Sequence, residues 1–129
     1  MPFIKYYLYL KSHPRIAHGL SALIAIAIII LSLTPLEQLP DAPGGDKLHH
    51  LIAYAALAFP TALIGARHLL FLSLCYIGLG AGIEVIQPYV NRYGEWLDMA
   101  ANGLGVLIGT ACGMACGALI QARLRSSRK

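Results

Sequence analysis

Charge is what this chain has least of. Six Asp and Glu and ten Lys and Arg amount to 12% of its 129 residues, against roughly 25% in an ordinary soluble domain. With 57% hydrophobic residues and a mean hydropathy of +0.64, that shortage excludes a soluble domain and places the chain among membrane proteins. Chemistry-bearing motifs are missing too. No HExxH, no paired CxxC, no Walker-type glycine loop and no assignable Ser-His-Asp set occurs, which removes the common zinc, nucleotide and triad chemistries. His49 and His50 are adjacent, so on a helix they point about 100° apart. Two ligands to one ion would not be arranged that way, and neither a metal site nor a cofactor is expected. The three cysteines, Cys75, Cys112 and Cys116, fall in apolar runs and read as small residues in helix packing.

What is present is apolar sequence in long runs. Four segments, at about 16–34, 47–65, 68–87 and 96–121, are each long enough to cross a hydrocarbon core of about 30 Å. The first, "IAHGLSALIAIAIIILSL", carries no acid or fixed cation and is stopped by Pro35. The second opens on a polar turn, and Pro60 removes a backbone donor near its far end, which predicts a kink. The third halts at Pro88, and the fourth again has a polar start and an apolar remainder. Short connections make consecutive helices antiparallel neighbours. The expected fold is therefore all-α, a polytopic four-transmembrane-helix bundle. Its membrane domain, residues 16–121, lies between an interfacial segment at 1–15 and a basic tail at 122–129. Tyr6, Tyr7 and Tyr9 in the first of these are expected at head-group level. Lys5, Lys11 and Arg15 ahead of the first apolar run also suit a signal peptide. No small-x-small cleavage site follows Leu33, so the run reads as an uncleaved first helix.

Placing the N-terminus in the cytoplasm puts Lys5, Lys11, Arg15, Arg67, Arg123, Arg125, Arg128 and Lys129 on one side and leaves Lys47 and Arg92 on the other. The positive-inside rule then assigns both termini to the cytoplasm. The basic tail, in a chain of pI about 9.1, is read as a lipid-head-group anchor, with no nucleic-acid partner. All six acids, Glu37, Asp41, Asp46, Glu84, Glu95 and Asp98, gather at or near the outer side, and the positive-inside rule says nothing about them.

Their spacing offers an explanation. Asp46, His50 and Tyr54 stand at i, i+4 and i+8 and share one helix face; Glu84 and Gln87 are three apart, and Asp98 and Asn102 four apart. Lys47 begins the second apolar segment and Arg92 lies between the third and fourth. Polar groups rarely face lipid, because their desolvation is expensive, so the three sets are expected to face one another in one layer. Glu84, with apolar neighbours in "GAGIEVIQ", should find its partner among Arg92, Lys47 and His50. Asp46 and Lys47 taken singly also read as a helix cap and a snorkelling cation; the cluster is the stronger signal.

The stretches "DKLHHLIAY" and "EVIQPYVNRYGEWLDMAANGLGVLIG" resemble the VanZ-like family. That family's pattern is an Asp-Lys-x-x-His-x-x-x-Tyr segment, a Glu-x-x-Gln segment, and an Arg followed by Asp-x-x-x-Asn-x-x-Gly. The matching positions are Asp46, Lys47, His50 and Tyr54; Glu84 and Gln87; and Arg92, Asp98, Asn102 and Gly105. Glu95 and Trp96 depart from the small or polar residues more often found in that loop. The resemblance covers about residues 15 to 120 and implies a bacterial cell-envelope protein of the cytoplasmic membrane. The family takes its name from a protein conferring teicoplanin resistance, and the resemblance supplies no general activity.

Three functional readings follow. In the first, the layer binds an amphiphile with an anionic or glycopeptide head, such as a lipid-linked envelope precursor or a lipoglycopeptide antibiotic. Lys47, Arg92 and His50 suit a phosphate, and Tyr54, Gln87 and Asn102 add neutral hydrogen bonds. In the second, an intramembrane enzyme acts on such a lipid, with Asp46, His50 and Glu84 as candidates for proton transfer; the acids also suit a divalent cation bridging to phosphate. In the third, the layer only holds helices together in an accessory subunit. Gly105, Gly109, Gly113 and Gly117 recur every four residues, as do Gly78 and Gly82. Such rows let backbones approach closely in lipid, and they are expected to face each other within a monomer, with a homodimer as the alternative.

Overall fold

Prolines and glycines set the helix limits. In this computed structural model, which describes residues 2–35, 45–90 and 92–127, helix α1 (Pro2–Ser12) ends two residues before Pro14, which opens α2 (Pro14–Leu33). Proline is suited to that first position because its missing N–H has no intrahelical partner there. Helix α3 (Asp46–Leu63) starts after an extended Gly45, so glycine, not Asp46, takes the cap position. It is closed beyond Leu63 by Gly65, whose φ of 65° is the left-handed conformation that glycine adopts without strain. Helix α4 (Leu69–Ile86) runs into a 3-10 turn (Gln87–Val90) containing Pro88, and α5 (Trp96–Ser126) follows. Glu37, Asp41, Arg128 and Lys129, which belong to the charge pattern above, lie outside the described residues.

The described residues are all-helical apart from short connections, with no strand among them. Three helical stretches, Pro14–Leu33, Leu69–Val90 and Trp96–Ser126, are long and apolar enough to cross a membrane. Their outward residues agree: Leu23, Ile30, Phe71, Leu74, Leu107 and Leu119 are all more than half exposed, and soluble proteins rarely show so extended an apolar surface. Helix α3 is apolar to a lesser degree because it is the inner helix. Its buried face carries His50, Tyr54, Leu57, Ala58 and Thr61. The core forms around it from Ile28 of α2, Tyr54, Leu57 and Ala58 of α3, Ile83 of α4 and Val106 of α5. Pro60 lies within α3 without ending it. In the same turn the Ser21 hydroxyl of α2 donates to the Leu57 carbonyl (2.9 Å), fixing α2 against α3.

The most extensive helix contact is between α3 and α5, which are not consecutive. Their pairing runs in step: Gly105 lies against Leu51 and Tyr54, Gly109 against Ala55, Gly113 against Phe59 and Ala62, and Gly117 against Leu63. Rising numbers on both sides make the pair parallel. A Cβ on Gly109 would collide with the Ala55 backbone, and one on Gly113 would stand 2.7 Å from Ala62 Cβ. The glycine row of α5 is therefore the device that admits α3, as small-residue rows do in lipid. This corrects the expectation that it faces Gly78 and Gly82, since nothing lies within 4 Å of a Cβ at either position. Cys75 and Cys112 are also exposed, outside the helix packing expected of them.

Helix α1 departs from a simple interfacial segment. Tyr6 and Tyr9 point outward, but Tyr7 is 2% exposed and accepts a hydrogen bond from Gln121 Nε2 of α5 (2.8 Å). The far end of α5 thus has a partner in α1.

Candidate functional site

Because α3 and α5 are parallel, their N-terminal turns lie at the same end of the molecule, where α4 finishes. Asp46, Lys47 and His50 of α3 meet Asp98 and Asn102 of α5 and Glu84 of α4 there. His50 is the centre. Its Nδ1 lies 2.9 Å from Asn102 Oδ1 and 3.8 Å from Glu84 Oε1, and its Nε2 lies 3.8 Å from Asp46 Oδ1. Of the three partners expected for Glu84, His50 is the one that faces it. Lys47 turns to Glu95 Oε2 (2.8 Å) and Asp98 Oδ1 (3.5 Å). Two acceptors, one from Asn102 and one from Glu84, face His50 Nδ1, so that nitrogen carries the ring hydrogen and donates.

The site is buried although it lies at one end of the bundle. His50, Glu84, Asp98 and Asn102 are all less than a tenth exposed. The Asp46 side chain is 56% exposed and that of Lys47 48%, so these two form the rim. Tyr54 is one turn deeper and 1% exposed. Gly80 of α4 leaves room for it: a Cβ there would stand 3.2 Å from the Tyr54 ring and 3.0 Å from Asn102 Nδ2. Among the described residues five buried atoms, Tyr54 Oη, Glu84 Oε1, Gln87 Oε1, Asp98 Oδ1 and Asn102 Nδ2, have no hydrogen-bond partner. An atom left in that condition costs about 1–3 kcal/mol.

Gln87 and Arg92 depart from the expected layer. Gln87 Nε2 donates to the Ser32 carbonyl (3.1 Å) and Arg92 Nη1 to that of Thr34 (3.4 Å), so both clasp the end of α2. Residues absent from the expected set also take part. Glu95 pairs with Lys47 and donates its backbone N–H to Glu84 Oε2 (3.2 Å). Gly94 permits that contact, because a Cβ there would collide with the Glu84 carbonyl. The only sequence signal for Glu95 was an acid between Arg92 and Asp98. Asp46, His50 and Asp98 each offer a ligand atom within 4.8 Å of the others.

No protein-family model, no curated protein and no solved structure matches the chain.

Proposed function

We propose that the chain is a VanZ-like protein of the bacterial cytoplasmic membrane whose polar layer binds the head group of an envelope amphiphile, either a lipid-linked phosphate or a lipoglycopeptide such as teicoplanin. In this reading α3 crosses the membrane with the other three helices as the fourth span. Both termini are cytoplasmic and the site opens on the outer side, which the distribution of Lys and Arg supports. The observation that carries the reading is the set of buried atoms in the layer that have no hydrogen-bond partner among the described residues, on Tyr54, Glu84, Asp98 and Asn102. A layer serving only to hold helices together gains nothing from half-satisfied groups, since such a network is worse than an apolar core. A ligand supplies the missing partners. The exposed rim of Asp46 and Lys47 gives it a way in at the depth of a lipid head.

The test is purification in native lipid followed by mass spectrometry of what is retained. A polyprenyl phosphate or related envelope lipid should accompany the wild-type protein and be lost from Glu84→Gln. Bulk phospholipid alone in both would overturn the reading. One arrangement favours catalysis as a second reading: His50 stands 3.8 Å from the carboxylates of both Asp46 and Glu84, the setting of a group that exchanges protons. Turnover of the retained lipid by the wild-type protein, abolished in His50→Ala, would establish an enzyme; unchanged lipid would restrict the site to binding.

A further inference from the structure

Three electron-pair donors converge at the rim of the layer. With the ring hydrogen of His50 held on Nδ1 by Asn102 Oδ1 (2.9 Å) and Glu84 Oε1 (3.8 Å), Nε2 directs its lone pair toward Asp46 Oδ1, 3.8 Å away. Asp98 contributes a carboxylate oxygen, and the three ligand atoms lie within 4.8 Å of one another. Asp98 is 2% exposed, and its Oδ1 has no hydrogen bond among the described residues, only the ion pair with Lys47 at 3.5 Å. A lone pair and two carboxylates at this separation repel one another, and the Lys47 ammonium, 3.5 Å from Asp98 Oδ1, offsets only part of that from the side.

We propose that Asp46, His50 and Asp98 form a site for a divalent first-row metal ion. A histidine that donates through one ring nitrogen to an amide or carboxylate and presents the other to the ion is the usual metal-binding form. Here Asn102 and Glu84 fill the orienting role. Metal–ligand bonds of about 2.0–2.2 Å require the donors to draw together by roughly 1 Å, and the 56% exposed Asp46 side chain has the freedom to do so. One imidazole and two carboxylates leave coordination positions open toward the rim. Lys47, 3.5 Å from Asp98 Oδ1, is the competing cation. Its second partner Glu95 at 2.8 Å can retain it when the metal enters. The site is independent of the head-group reading, because it needs no lipid.

The experiment uses Mn2+ as the probe, since the free thiols of Cys75, Cys112 and Cys116 favour softer ions. Electron paramagnetic resonance titration of the full chain in detergent, without added lipid, should show one saturable ion per chain. Asp46→Asn and Asp98→Asn should each weaken binding at least tenfold, and Lys47→Met should tighten it severalfold by removing the competing ammonium. Asp46 lies at the rim, so its variant retains the wild-type melting temperature and keeps the measurement interpretable. Absence of saturable binding by the wild type, or equal affinity in folded Asp46→Asn, would overturn the site.

Discussion

Between Gly105 and Gly117, α5 lies against α3 with no room for a side chain, whereas nearer their N-terminal ends the same two helices hold a polar layer in which buried atoms lack hydrogen-bond partners. The first region is closed by shape alone, with glycine facing the backbones of Ala55, Phe59 and Leu63. The second is held by directed bonds, such as His50 to Asn102 and Lys47 to Glu95, and is left incomplete. A helix pair that is complete along most of its length and unsatisfied at one end has its rigidity and its binding capacity in separate places. The glycine seam fixes the position of His50 relative to Asp98 without using any polar group.

The sharpest way to break this comparison is to fill the seam. Gly109→Leu should destabilise the protein by about 3 kcal/mol or more, read as a large fall in melting temperature in detergent. Gly82→Leu, placed where nothing lies within 4 Å, should stay within ~0.5 kcal/mol of wild type. Equal tolerance of both would show that the seam is not closely packed. A smaller loss is expected from His50→Ala, which strips Asn102 Oδ1 of its partner and costs about 1–3 kcal/mol, while ligand retention falls to background. Glu84→Gln keeps the shape and removes the charge, so retention should drop with little loss of melting temperature. Retention unchanged in both folded variants would reduce the layer to a structural bond set. Tyr54→Phe sharpens the contrast most finely. The hydroxyl it removes has no partner, so stability should be unchanged or slightly raised, and only ligand binding should weaken.

Orientation has its own check. In a background with Cys75, Cys112 and Cys116 replaced by alanine, Tyr93→Cys, at a position 81% exposed, should react with an impermeant maleimide from outside. Ser126→Cys should react only after the membrane is opened. The reverse pattern would invert the topology and move the site to the cytoplasmic face.

Helix spacing made part of this site legible. The four-residue steps from Asp46 to His50 to Tyr54 and from Asp98 to Asn102 put each set on one face, and those faces do meet. Spacing fixes angles around one helix axis and says nothing of which neighbour the face will find. Glu84 and Gln87 share a side of the chain, yet one turns to His50 and the other to the Ser32 carbonyl. The glycine row of α5 was visible, but its partner was not. Helix α3, with a polar first turn, offers Ala55 and Ala62 without any glycine between Asp46 and Leu63. Glu95 escaped because a loop residue has no period, and its two roles arise only when Gly94 brings the chain against Glu84.

The parallel pairing of α3 with α5 also sets an order of assembly. Helix α3 carries the buried polar face, and most of the surface that covers it belongs to α5, with all of α4 in between. In chain order α3 meets the surface of α2 first, through Ser21 and the Leu57 carbonyl, and that of α5 only later. A chain truncated before Trp96 would leave His50 without Asn102 and the backbone of Ala55 without the glycine that covers it. The earlier helices form a docking platform, and the arrival of α5 closes the seam and completes the polar layer in one step.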